Sequence, residues 1–155
     1  MKKQRVFVTG ATGGMGFASL KEMLKDADKQ DIVILARDSE KNRKILAPYM
    51  QTKGLTIVWG DLNDYEVVKK CVKDCDIVLH IAAFVSPAAD YYPDRAMKVN
   101  YGSTRNIIRA IYEHKQQDFT RLVYIGTVAE TGDRMPPIHW GRVGDPIKPS
   151  MFDYY

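Results

Sequence analysis

Two cysteines, three histidines and no apolar run near the roughly 20 residues of a membrane span limit what this 155-residue sequence can do. A zinc centre needs about four ligands. Cys71 and Cys75 have no second cysteine pair and no histidine pair at ligand spacing to complete one. They read instead as reduced, packed residues near a helix end, and no metal is expected. The absence of a long apolar run excludes an integral membrane protein. The start, Met1-Lys2-Lys3-Gln4-Arg5, is basic, but the apolar run behind it stops at Gly10. That is too short and too glycine-broken for a secretory signal, so a cytoplasmic protein is expected. Internal repeats and low-complexity tracts are also missing. An apolar fraction of 45% with 27% charged residues is ordinary for a globular chain and excludes disorder. The net charge is +4, but the lysines and arginines are scattered and form no stripe with interleaved aromatics. Nucleic-acid binding is therefore not expected, whereas a mildly basic protein that binds anionic ligands is.

What is present alternates. Short β-rich or continuous apolar runs occur at 5–9 (RVFVT), 31–36 (DIVILA), 54–59 (GLTIVW), 76–82 (DIVLHIA) and 121–125 (RLVYI). Runs such as DIVILA suit strands buried on both faces of a parallel sheet. Between them lie segments with helical spacing. Residues 17–24 carry Leu20, Met23 and Leu24 on one face. Residues 39–50 open with Ser39 as N-cap. Residues 63–72 turn Val67, Val68 and Cys71 inward, and a long helix is expected over 89–114. The order βαβαβαβαβ predicts an α/β fold, a Rossmann-type doubly wound parallel sheet in three αβα layers. One domain fits the length, covering residues 1–155. After Gly126 the chain holds four of the seven prolines and reads as a long loop on the carboxyl side of the fifth strand. Ligands in open α/β sheets bind on that side.

The strongest motif is Thr9-Gly10-Ala11-Thr12-Gly13-Gly14-Met15-Gly16, placed directly after the first strand and directly before the first helix. That context makes a glycine pattern a dinucleotide-binding argument. One glycine allows the tight turn, another lets the backbone approach a pyrophosphate, and the last lets helix and strand pack closely. The helix N-terminus then offers unpaired N–H groups and a positive dipole end. A nucleotide-triphosphate P-loop is excluded, because no Gly-Lys-Ser/Thr follows. The spacing is T-G-x-x-G-x-x-G and not the commoner G-x-G-x-x-G.

This sequence resembles the short-chain dehydrogenase/reductase superfamily, in particular its extended branch of nucleotide-sugar epimerases, dehydratases and related reductases. Besides the glycine loop, Gly60-Asp61-Leu62 stands where the family has an aspartate beside the adenine. His80-Ile81-Ala82-Ala83 stands where it has an H-x-A-A-like segment beside the cofactor. Val99-Asn100-Tyr101-Gly102-Ser103-Thr104-Arg105-Asn106 is similar to V-N-x-x-G-T-x-N, and Arg121 to Thr127 to the R-x-V-Y-x-S-[ST] strand. The matches follow family order along the whole chain. The resemblance implies a cofactor site built from Gly10, Thr12, Gly13, Gly14, Met15, Gly16, Asp61, Leu62, Ala82, Ala83 and Asn100.

Choice of cofactor is read at the end of the second strand. An acidic residue there binds the 2′-hydroxyl of NAD, whereas an arginine accepts the 2′-phosphate of NADP. About 20 residues past Gly16 stands Ala36, followed by Arg37 and Asp38. Arg37 favours NADP over NAD, with Lys41, Arg43 and Lys44 adding positive charge nearby. The alternative is a solvated Arg37, paired with Asp38 or Glu40, and an Asp38 that binds NAD.

Family chemistry uses a tyrosine as general acid/base, a lysine in a Tyr-x-x-x-Lys pattern that lowers its pKa from about 10, and a Ser or Thr hydroxyl. Thr127 matches the hydroxyl position and Tyr155 the tyrosine, with Tyr154 as the alternative. The lysine would stand at position 158 or 159, beyond this sequence. A fragment inactive by itself is therefore expected, with the last strands and a substrate-binding region absent. The implied full-length protein is an NAD(P)-dependent epimerase, dehydratase or reductase. It would act on a carbonyl/alcohol carbon of a small molecule such as a nucleotide sugar, and would be a homodimer. The competing expectation is a non-catalytic dinucleotide-binding module, a redox sensor or assembly factor. His80 reads as a satisfied core histidine.

Overall fold

In the computed structural model, which describes residues 3–127, 143, 144 and 147, the apolar runs pair as parallel strands. They are β1 (Gln4–Thr9), β2 (Gln30–Ala36), β3 (Leu55–Trp59), β4 (Ile77–His80) and β5 (Arg121–Tyr124), in the order β3-β2-β1-β4-β5. Every adjacent pair is parallel, with Thr9 opposite both Leu35 and His80. The chain runs outward from β1 to β3, then crosses to the other side for β4 and β5. A crevice therefore opens between the carboxyl ends of β1 and β4, at the point where strand order reverses.

Side-chain alternation along the strands builds two cores. Val6, Val8, Ile32 and Ile34 face α1 (Gly14–Met23) and α2 (Glu40–Leu46), where they meet Leu20 and Leu46. Phe7, Val33, Leu35 and Val78 face the other way. They meet Val68, Cys71 and Val72 of α3 (Tyr65–Val72) and Ile107, Ala110 and Ile111 of the later helix. Both cysteines are free and buried in this second core, and burial pushes their thiols up to about 11. The Rossmann-type doubly wound three-layer fold is thus observed.

Helix boundaries differ from the sequence expectations in four places. Helix α1 begins at Gly14, inside the glycine cluster, and not at Phe17. Ser39 caps α2 by accepting the Asn42 N–H at 3.2 Å, but the α-helix ends at Leu46 and a 3₁₀ turn carries Ala47–Tyr49. Helix α3 starts at Tyr65 because Asp64 accepts the N–H groups of Glu66 and Val67, while Asn63 is held by Asp61. The largest difference is the expected single helix over 89–114. It is four pieces: α4 (Ala88–Tyr91), α5 (Pro93–Ala96), a π turn (Met97–Tyr101) and α6 (Gly102–Glu113). Pro93 forces the break. The residue before a proline avoids helical dihedrals, and Tyr92 has φ −134° and ψ 64°.

Residues 128–142 and 148–155 lie outside the described residues, and with them Tyr154 and Tyr155. Among the described residues, no helix is long and apolar enough to cross a membrane, and no group of three or more His, Cys, Asp or Glu could hold a metal ion.

Candidate functional site

The crevice between β1 and β4 is walled by the glycine loop. Gly10 has φ +74°, a conformation that side-chain-bearing residues rarely adopt, and a Cβ there would lie 2.8 Å from the Ala82 backbone nitrogen. A Cβ on Gly16 would overlap the Gly10 carbonyl oxygen. These two glycines bring turn, helix and β4 end together at backbone distance. Gly13 and Gly14 differ. A Cβ on Gly13 would stand 3.4 Å from the Gly10 carbonyl, and on Gly14 would meet open space. They face outward, as does Met15, while Thr12 is half-buried. Gly13 N–H donates to Gly10 C=O at 2.9 Å, and Gly13 is the N-cap of α1 with no side-chain cap and no acid in the first turn. An uncapped helix start with open space before it suits an anionic group. Two of the glycines are thus explained by packing, and two border open space before the helix start. That is the pattern a pyrophosphate cradle requires.

The floor of the crevice is held by a chain of hydrogen bonds through Thr9 and His80. The Thr9 hydroxyl oxygen accepts the N–H groups of Ile81 and Ala82 at 3.2 and 3.1 Å. Its own proton is then directed to His80 Nδ1, 2.7 Å away. His80 must carry its proton on Nε2, which donates to the Thr104 hydroxyl at 3.1 Å, with the Ser103 hydroxyl at 3.3 Å. Thr104 in turn donates to the Asn100 carbonyl at 2.8 Å. This explains why β4 pairing stops at His80 and not Ala82: beyond it, a side chain replaces the ladder. His80 is 1% exposed and neutral, and burial lowers its pKa to about 4. It is the satisfied core histidine expected from its strand position.

Asn100 sits in the π turn. Its side-chain carbonyl accepts the Phe84 N–H at 2.7 Å, and its amide donates to the Phe84 carbonyl at 3.0 Å. It clamps the segment carrying Ala82 and Ala83, the first half-buried and the second exposed. Asn106 donates to the Leu62 carbonyl at 3.0 Å and ties α6 to the Asp61–Leu62 turn. Asp61 is exposed and accepts from the backbone and side chain of Asn63, both at 2.8 Å. Sequence reading missed Thr9, Thr104 and Asn106 as positioning residues. Thr104 and Asn106 lay inside the quoted helix segment, but nothing in spacing points to partners so distant in the chain.

At the end of β2, Arg37 is exposed and has no ion pair among the described residues, while its carbonyl accepts Asn42 Nδ2 at 2.8 Å. Asp38 does not pair with Arg37. It forms a two-point pair with Arg43, Nε–Oδ1 2.6 Å and Nη2–Oδ2 2.8 Å. Glu40 pairs with Lys44. Of the positive charges expected to add to Arg37, those of Arg43 and Lys44 are therefore already matched, which leaves Lys41. Thr127 is half-buried, three residues past the end of β5, on the same side of the sheet. Its expected partner, Tyr155 or Tyr154, is outside the described residues.

Comparison with known proteins places these features among relatives. The model of the "NAD dependent epimerase/dehydratase family" matches residues 6–151. The chain is 30% identical over 113 residues to a UDP-N-acetylglucosamine 4,6-dehydratase (inverting) of Campylobacter jejuni, covering 72% of this chain and 34% of that protein. It is 31% identical over 109 residues to a UDP-glucose 4-epimerase of Rickettsia bellii, covering 68% and 32%. The chain thus spans about a third of the length of the curated relatives it matches. Among solved structures, the Bordetella bronchiseptica enzyme WbmH in complex with NAD+ superposes with a TM-score of 0.78 at 24% identity, over 99% of this chain and 48% of that one. The UDP-Glc/GlcNAc 4-epimerase from Campylobacter jejuni gives 0.78 at 20% identity, over 94% and 43%. These likenesses show the fold.

Proposed function

Since the chain belongs to the NAD-dependent epimerase/dehydratase family, we propose that residues 1–155 form the dinucleotide-binding domain of a cytoplasmic enzyme acting on a nucleotide sugar. The observation that carries the reading is the division of labour in the glycine loop. Gly10 and Gly16 have no room for a Cβ, while Gly13 and Gly14 leave open the approach to an uncapped helix start. Curated relatives that act on UDP-sugars support the substrate class.

When bound, the nicotinamide dinucleotide supplies the acceptor and donor of hydride at the reacting carbon. The chain's own residues have five tasks. The first turn of α1 binds the pyrophosphate through backbone N–H groups and the helix dipole. Thr9, His80 and Asn100 hold the Ile81–Phe84 segment that lines the crevice. Thr127 orients the substrate hydroxyl, and Tyr155 moves the proton to and from it. Arg37 faces the adenosine ribose, and its charge, unpaired among the described residues, favours NADP over NAD. An exposed stripe of Tyr101 in the π turn with Ile108 and Tyr112 of α6 offers a face for a homodimer.

Titration calorimetry with NADP+, NAD+ and inorganic pyrophosphate tests the binding. Incubation with UDP-glucose and UDP-N-acetylglucosamine, with and without dinucleotide, tests the reaction. Dinucleotide binding lost in Gly13→Val with the fold intact supports the cradle, and no binding by the folded protein refutes it. Binding without turnover by a protein extending through a Tyr-x-x-x-Lys pattern would favour the sensor or assembly-factor reading.

A further inference from the structure

The contacts around Asp38 reach further than the cradle. We propose that Arg43 is a positioning residue that sets the nucleotide preference of this site, by turning Asp38 away from the ribose and cancelling its charge. This rests on the reading of Arg37 as the group that meets the 2′-phosphate.

A carboxylate at the end of β2 acts in two ways. It accepts ribose hydroxyls, and it repels a 2′-phosphate. Here both oxygens of Asp38 are engaged by the Arg43 fork at 2.6 and 2.8 Å. An exposed ion pair usually holds its partners only weakly, and these two side chains are about half exposed. This pair has a second support. The Arg43 guanidinium carbon stands 4.8 Å from the centroid of the Trp59 ring, within stacking reach. Trp59 is itself fixed. It closes β3 in register with Ala36, and the next residue, Gly60, donates its N–H to the Ala36 carbonyl at 3.0 Å. The loop between is fixed as well, by Ser39 capping Asn42 and Asn42 bonding the Arg37 carbonyl. Arg43 is thus clamped between ring and carboxylate. The carboxylate is matched, and among the described residues Arg37 is left with its charge available. The other acid nearby, Glu40 at the start of α2, is matched by Lys44. Lys41 is exposed and leaves the surroundings net positive.

The test is a binding cycle on the purified protein, with dissociation constants for NADP+ and NAD+ measured by calorimetry. The unmodified protein should bind NADP+ more tightly. Arg43→Leu releases Asp38, so NADP+ should weaken and NAD+ should tighten. The ratio should fall about tenfold, equivalent to about 1.4 kcal/mol. Adding Asp38→Asn to Arg43→Leu should abolish the NAD+ gain and restore most NADP+ affinity, which a merely structural role for Arg43 would not do. Arg43→Lys should fall between, since an ammonium neutralises the carboxylate without the fork. Asp38→Asn alone, which removes no packing, serves if Arg43→Leu fails to fold. It frees the Arg43 charge beside Arg37, so NADP+ binding should tighten without a gain in NAD+, and unchanged binding of both nucleotides overturns this inference. Equal or tighter NAD+ binding by the unmodified protein overturns the NADP reading and this inference with it. An NADP+ preference that survives Arg43→Leu overturns this inference alone. So does NADP+ weakening with no Asp38-dependent gain in NAD+ binding, which would make Arg43 a phosphate ligand.

Discussion

Acidification should destabilise this protein through His80 before its carboxylates are protonated. The hydrogen-bond chain from the Ile81 and Ala82 amides through Thr9 to His80 Nδ1 leaves no place for a second ring proton. Protonating Nδ1 would set it against a hydroxyl whose acceptor sites are both filled. With a buried pKa near 4 against an ordinary 6.5, the unfolded chain takes up a proton over that interval and the folded one does not. Stability contributed by the neutral ring is complete above pH 6.5 and is lost as pH falls towards 4. At 1.36 kcal/mol per unit, the loss is on the order of 3 kcal/mol, a large share of a typical 5–15 kcal/mol. Glu113 titrates in a different window. Hydrogen bonds from Lys69 and Arg109 hold its carboxyl down to about 2, so its contribution stays whole above pH 4.5. Urea unfolding measured at steps from pH 7.5 to 4.5 reads the slope. His80→Asn should be less stable at pH 7.5 but should lose much less across that range. Ring nitrogen shifts supply a second check, since His80 should keep Nε2–H and bare Nδ1 to below pH 5. A parallel decline in the variant, or a His80 that titrates near 6.5, would refute the argument.

Other expectations follow from single contacts. Gly16→Ala should destabilise by about 2 kcal/mol or more, because its methyl meets backbone, whereas Gly14→Ala should be neutral or stabilise by about 0.5–1 kcal/mol through helix propensity; thermal unfolding of the pair distinguishes them. Thr9→Val, nearly isosteric, should cost about 2 kcal/mol or more, because two amides lose their acceptor. Asn100→Ala should cost about 1–2 kcal/mol by freeing both backbone groups of Phe84, and should weaken dinucleotide binding in calorimetry. Cys71 and Cys75 should resist a disulfide reagent at pH 8 in the native protein and react fully in denaturant, as thiols with pKa near 11 in a core must.

Much of this architecture is legible because burial leaves a mark in composition. Strand β2 is buried from Ile32 to Ala36, and its continuous apolar run says so directly. The glycine loop is legible because Gly10 and Gly16 answer to backbone geometry, which admits no other residue type. The supporting contacts leave no such mark. Thr9 looks like any β-branched strand residue, and its second task depends on β4 arriving beside it. Asn106 reaches Leu62 across 44 positions, and Asp38 finds Arg43 and not Arg37 because α2 turns back over the loop. The break at Pro93 was written in the sequence, but the apolar spacing on either side of it reads as one helix.

The π turn at Met97–Tyr101 constrains how this chain can change length. A π turn is a helix carrying one residue too many. Removing any one of the five would let the coil close into a regular α-helix, a change that sequence comparison would score as a trivial gap. Yet each helical residue advances about 100° around the axis. Loss of Met97 or Lys98 would swing either Arg95, whose guanidinium carbon lies 4.8 Å from the Phe84 ring centroid, or Asn100, which clamps the Phe84 backbone, out of place, since these two lie on opposite sides of the lost residue. The two holds on Phe84 can be kept together only while that residue stays. Lineages of this chain should therefore tolerate substitution at Met97 and Lys98 far more readily than loss of either.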